Sequence, residues 1–127
     1  MNVVDSSGWI EYFADGPNAD FFEPVITQTS KLIVPSFVIH EVFRWVLQQK
    51  GEDEALLCIA LMTLGKVVDL TMTIAVNAAE LSTRLDIPSA DSLVLTTALS
   101  HNATLWTQDS DFKDLPGVRY VERRIDF

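Results

Sequence analysis

The chain has 127 residues, the size of one ordinary domain, and 48% of them are apolar against 21% charged, enough to fill a core and far from a disordered composition. Five glycines, five prolines and a single cysteine, Cys58, exclude collagen-like and low-complexity classes, disulfide scaffolds and thiolate zinc sites. Eighteen acids against nine bases give a net charge of −9, which speaks against a general nucleic-acid binder.

In chain order, residues 2–5 predict a short buried strand, with Ser6 or Ser7 capping an apolar helix that carries residues 9–13. Asp15, Gly16 and Pro17 break the chain, and residues 18–29 predict a second helix. Residues 31–34 predict the second strand, stopped by Pro35, and Ser36 is expected to cap a long helix from 37 to about 50 that ends at Gly51. A helix from 52 to about 64, a strand at 67–70 and a helix at 73–86 follow. Ser89 is expected to cap the next helix, which reaches about residue 101; strands at 103–107 and 118–121 complete the chain.

Short apolar strands separated by helices point to α/β: a three-layer α/β/α sandwich with a central, mostly parallel sheet of about five strands, in one domain spanning 1–127. The first residues lack the basic flank and cleavage site of an export signal, and the apolar mid-chain run 55–65 between Glu54 and Lys66 is far short of the roughly 18 residues that cross a bilayer. The expectation is a cytoplasmic protein that makes no use of a membrane.

Sites in open parallel sheets form beyond the carboxyl ends of the strands, and acids cluster there. Asp5 closes the first strand; Asp109 stands two residues past the fourth, with Asp111 after it. Turn and cap chemistry accounts for each of them singly, but neighbouring strand ends bring them to one rim. Asp91 heads the stripe of Val94, Leu95 and Ala98 on its helix, where the helix dipole offers a plain alternative worth about 0.3–1 kcal/mol. Glu41 lies between Phe37 and Trp45 on its helix face; a surface pair with Arg44 would return only a few tenths of a kcal/mol, too little to offset burial beside two aromatics. Carboxylates converging in one pocket need a cation among them, and all-oxygen ligation suits Mg²⁺ or Mn²⁺, whose natural chemistry is phosphoryl transfer. Neither a nucleophile elbow nor a phosphate-binding glycine loop competes.

Together, Asp5-Ser6-Ser7, Pro35-Ser36 through Glu41 and Arg44, Ala90-Asp91, and Thr107-Gln108-Asp109-Ser110-Asp111-Phe112 resemble the PIN-domain ribonucleases, in the branch of VapC-like toxins of type II toxin–antitoxin systems. The resemblance covers the whole chain. It implies a metal-dependent endoribonuclease with Asp5, Glu41, Asp91 and Asp109 as the catalytic acids. Asp5, Asp91, Asp109 and Asp111 would hold Mg²⁺ or Mn²⁺, while Ser6, Thr107 and Arg44 support them. It also implies an RNA substrate, a cognate antitoxin protein and a homodimer. Arg119, Arg123 and Arg124 near the carboxyl end, with Arg44, Lys50 and Lys113 elsewhere, are the available phosphate contacts. Two other readings compete. A phospho-receiver signalling domain would need paired acids after the first strand and an acid ending the third, whereas Asp69 is expected inside its strand. A non-catalytic interaction module would leave every acid structural. Among the apolar residues, Trp9, Ile10, Phe13, Phe21, Phe22, Val25 and Ile26 exceed what one sheet face needs, so the first two helices are expected to offer a groove to a partner's amphipathic helix.

Overall fold

Adjacent apolar pairs build the centre of the molecule. Val3 and Val4, Ile33 and Val34, and Leu105 are shielded from solvent, as befits strands covered on both faces. The computed structural model, which describes residues 1–125, places them in a five-stranded parallel sheet of order β3-β2-β1-β4-β5. The strands are β1 (Asn2–Val4), β2 (Leu32–Pro35), β3 (Lys66–Val68), β4 (Thr104–Thr107) and β5 (Val118–Tyr120). The helices are α1 (Ser6–Phe13), α2 (Ala19–Thr27), α3 (Ser36–Lys50), α4 (Glu52–Met62), α5 (Met72–Leu85) and α6 (Ser89–Ser100). One continuous hydrophobic cluster joins the central strands to the surrounding helices. The sandwich expected from the sequence is therefore the one observed.

Topology decides where a site can form. From β1 the chain steps outward to β2 and β3, then returns across the sheet to β4 and β5 on the far side of β1. The reversal opens a crevice past the carboxyl ends of β1 and β4, the place where open parallel sheets bind ligands. A receiver-type sheet runs 2-1-3-4-5, so the strand order excludes that alternative. It does so without the argument from Asp69, which lies beyond β3 and not within it.

Several boundaries differ from expectation, each for a local reason. Asp5, not a serine, caps α1: its side chain accepts from the Gly8 N–H, so the helix starts at Ser6. Pro35 and Pro88, held extended at φ −63° and −55°, occupy the N-cap positions of α3 and α6, leaving Ser36 and Ser89 as first helical residues. The freed Ser36 hydroxyl accepts from the Leu70 N–H at 3.3 Å, tying α3 to the segment after β3. Asp86 ends α5 in the left-handed conformation at φ 54°, as a short polar side chain can.

The proposed groove between the first two helices is corrected by the packing. Trp9 and Phe22 are fully buried, and Val25 and Ile26 nearly so, because α2 lies against β1. Gly8 permits this approach: a Cβ there would stand 2.6 Å from both Phe22 and Val4. The exposed apolar side chains sit elsewhere, with Leu47, Leu56, Leu57 and Leu61 on the outer face of α3 and α4.

Candidate metal centre

Asp5 is the deepest of the acids, 4% exposed. Its Oδ1 accepts from the Gly8 N–H at 3.0 Å and the Ser7 hydroxyl at 2.8 Å, and its Oδ2 from the Thr107 hydroxyl at 2.7 Å. Those bonds favour the charged form, yet burial outweighs them and, with a smaller push from Asp109, holds the carboxyl at a pKa of about 6. Thr107 works in both directions: while donating to Asp5 it accepts from the Asp109 N–H at 2.9 Å. Asp109 in turn caps the single helical turn Ser110–Phe112 by accepting from the Asp111 N–H at 3.0 Å. A short chain of bonds thus locks the end of β4 to the end of β1.

Asp91 comes from the opposite side, in the first turn of α6. Carboxylate oxygens of Asp91, Asp109 and Asp111 lie within 4.8 Å of one another. Burial pushes the Asp91 carboxyl up to about 7, helped by the negative charges of Asp109, Asp111 and Asp5. One of its oxygens, Oδ2, is buried with no hydrogen-bond partner, an expensive state for a carboxylate oxygen. The helix dipole could hold an acid here, but it does not account for two more carboxylates facing it. The donor set is all oxygen, two of the three residues are half-buried, and one oxygen is orphaned: this fits a hard divalent cation.

Glu41 stands apart from that trio on the second turn of α3. Burial raises its pKa and Asp109 adds to the effect, while the Ser6 hydroxyl and His40 pull the other way. Its environment is therefore Ser6, His40 and the acidic rim, with Arg44 exposed one turn on. A groove of about 420 Å³ runs from Ser6 and Glu41 along α3, past Phe37, His40, Arg44 and Trp45. The sequence-predicted acids are thus brought to one rim at two depths, with Asp5 beneath the trio and Glu41 beside it. Ser7, Asn18 and Gln108 were not foreseen. Ser7 bonds Asp5 while Ser6 bonds Glu41, and Asn18 and Gln108, each 2% exposed, are hydrogen-bonded at 3.0 Å. Asn18 sits in a turn 90 residues before its partner, so only the hydroxyl at position 7 left a local signal, through its place in the first helical turn.

Solved structures show the same fold. A toxin–antitoxin complex from Klebsiella pneumoniae superposes with a TM-score of 0.78 at 20% identity, covering 94% of this chain and 96% of that one. VapBC2 from Rickettsia felis, bound to a DNA fragment from their promoter, gives 0.72 at 19% identity over 95% and 97%. VapC20 of Mycobacterium tuberculosis, described as a sarcin-ricin loop cleaving toxin, gives 0.72 at 17% identity over 88% and 92%. No curated protein sequence matches the chain. Residues 3–118 match the PIN domain family, and with the acidic rim placed at the switch point of this sheet, the chain belongs to the PIN domain family.

Proposed function

We propose that the protein is a metal-dependent endoribonuclease and the toxin of a type II toxin–antitoxin pair. The observation that carries the proposal is the convergence of Asp91, Asp109 and Asp111 carboxylate oxygens within 4.8 Å, with one Asp91 oxygen left buried and partnerless, at the rim of a PIN-family sheet. These three residues, with Asp5 below them, would hold Mg²⁺ or Mn²⁺. When bound, such a cation lowers the pKa of a water and offsets charge on a phosphodiester. Asp5 keeps Thr107 and Ser7 fixed beneath the site, and Glu41, its proton affinity raised by burial, accepts a proton from the attacking water. Arg44 offers positive charge along the groove where the RNA backbone lies.

The same proposal includes a protein partner. The solved structures of this fold include toxin–antitoxin complexes, and the α3–α4 face exposes Leu56, Leu57 and Leu61. A 100 Å³ cleft between Phe13, Trp45, Lys50 and Leu57 adjoins them, the kind of surface that takes an amphipathic helix. The antitoxin docks there, and the expected homodimer belongs to this proposal as well.

The test is RNA cleavage by purified protein in Mg²⁺ or Mn²⁺, in EDTA, and by Asp109→Asn. Cleavage that needs the metal and falls at least about 100-fold in the variant is the expected result. No cleavage of any RNA by the metal-loaded wild type, or equal cleavage by the variant, overturns it.

A further inference from the structure

Beyond the acids, Asn18 and Gln108 are among the buried polar side chains that have no part in the chemistry above. Asn18, in the turn between α1 and α2, donates from one amide nitrogen to both the Gln108 side-chain oxygen and the Glu122 carbonyl, each at 3.0 Å. Its own oxygen accepts from Arg124 Nε at 2.9 Å, and the Arg124 guanidinium also donates to the Pro17 carbonyl. Gln108 lies between Thr107 and Asp109, the two residues that join Asp5 to the rim. Its backbone N–H and side-chain amide reach the Ser7 hydroxyl and carbonyl at 3.4 and 3.5 Å. Three separate pieces of chain therefore meet at one buried amide: the carboxyl-terminal segment, the α1–α2 turn and the exit of β4.

Burial makes the arrangement consequential. An asparagine 2% exposed costs stability wherever one of its donors or acceptors goes unpaired. Asn18 loses an acceptor bond when Arg124 lets go and a donor bond when the Glu122 carbonyl moves. Asn18 is then less firmly placed, and with it the Gln108 side chain to which it donates and the segment that presents Asp109. Partners that orient metal-binding residues without touching the metal typically change affinity by about tenfold or more when removed.

We propose that Asn18 and Gln108 are positioning residues through which the anchored carboxyl-terminal segment, by Arg124, sets the affinity of the acidic rim for a divalent cation. The inference rests on the divalent-cation site proposed above. Its sign separates it from plain electrostatics. Arg124 is a cation near an acidic site, so acting by charge alone its loss would strengthen binding of another cation. As an anchor, its loss weakens binding.

Mn²⁺ titrated calorimetrically into the full chain at pH 7.5 tests this, using wild type, Asn18→Ala, Arg124→Ala and the double variant, with Arg84→Ala on the far helix α5 as control. Expected are a dissociation constant raised roughly tenfold in Asn18→Ala and several-fold in Arg124→Ala, and a double variant no worse than Asn18→Ala, since both act through one chain of bonds. Arg84→Ala should bind as wild type does. Arg124 is exposed, so its variant folds and stays informative if Asn18→Ala does not. Unchanged or tighter Mn²⁺ binding by Arg124→Ala overturns the inference and leaves the metal site standing. Failure of wild type to bind Mn²⁺ overturns the metal site and the inference with it.

Discussion

Two regions of this molecule break the ordinary rule of apolar inside and charged outside, in opposite senses. At the rim past β1 and β4, Asp5 is buried and one oxygen of Asp91 is taken out of water with no partner to repay it. On the outer face of α3 and α4, leucines stand in water: Leu56 and Leu57 are more than half exposed. Each region costs the isolated chain stability or solubility, and the proposed function gives each a different kind of ligand to relieve it, a small hard cation in one case and an apolar helix in the other. The pairing teaches that stability and function can be separated by position. The rim is stabilised by losing charge, the helix face by losing water.

The largest expected effect tests whether the aromatics of α2 belong with the exposed leucines or with the core. Phe22→Asp places an unpaired carboxylate at a fully buried position and should cost about 4 kcal/mol or more, read as loss of the cooperative melting transition. A folded variant that merely lost partner binding would return α2 to the docking surface.

A middle-sized effect sharpens the account of the rim. Asp5 at about 6 and Asp91 at about 7 bind protons more tightly than an unfolded chain's aspartates near 3.8. The folded chain therefore holds the extra protons between about pH 4 and 7, and metal-free stability falls as pH rises through that window. Asp91→Asn removes its share, so in EDTA the variant should lose less stability than wild type between pH 5 and 8. With Asp91 half in solvent, the difference should be about 1–2 kcal/mol, well below what the full shift would give. Parallel melting curves for the two proteins across that range would mean that the carboxyl is not held in an acidic cluster. Excess Mn²⁺ at pH 7.5 should reverse the order, stabilising wild type by mass action and the variant much less.

The smallest effect on stability belongs to the helix face. Leu57→Asp should change the free energy of unfolding by no more than about 0.5 kcal/mol, while weakening capture of the proposed antitoxin at least about tenfold. Loss of stability comparable to a core substitution would show that Leu57 packs more tightly than its exposure implies.

Much of this was legible in the sequence where the signal is local. Runs such as Val3-Val4 and Ile33-Val34 specify buried strands, and Asp5 and Asp109 directly after strands announce a rim. What was illegible depends on contacts between distant residues. The aromatics of α2 look surplus until β1 is seen to take them, and the Asn18–Gln108 bond spans 90 positions. Helix starts after Pro35 and Pro88 were misread because a serine following a proline suggests a cap, whereas the extended proline already fills that place. The Ser7 contact to Asp5 was hidden because the expected cap was a serine, whereas Asp5 itself caps a helix that begins at Ser6.

The sheet order has a last consequence, for the time course of synthesis. Asp5 leaves the ribosome well before the hydroxyl that holds its carboxylate, which arrives 102 residues later, on Thr107, and the β4 strand beside β1 comes with it. A growing chain that has exposed β1, β2 and β3 has an unpaired edge where the crevice will be and only part of its acids. The site cannot assemble piecemeal from the amino end. It closes late, because the acidic rim is complete only once Thr107 and the acids after it have followed Asp5 out of the exit tunnel, 102 residues and more behind it.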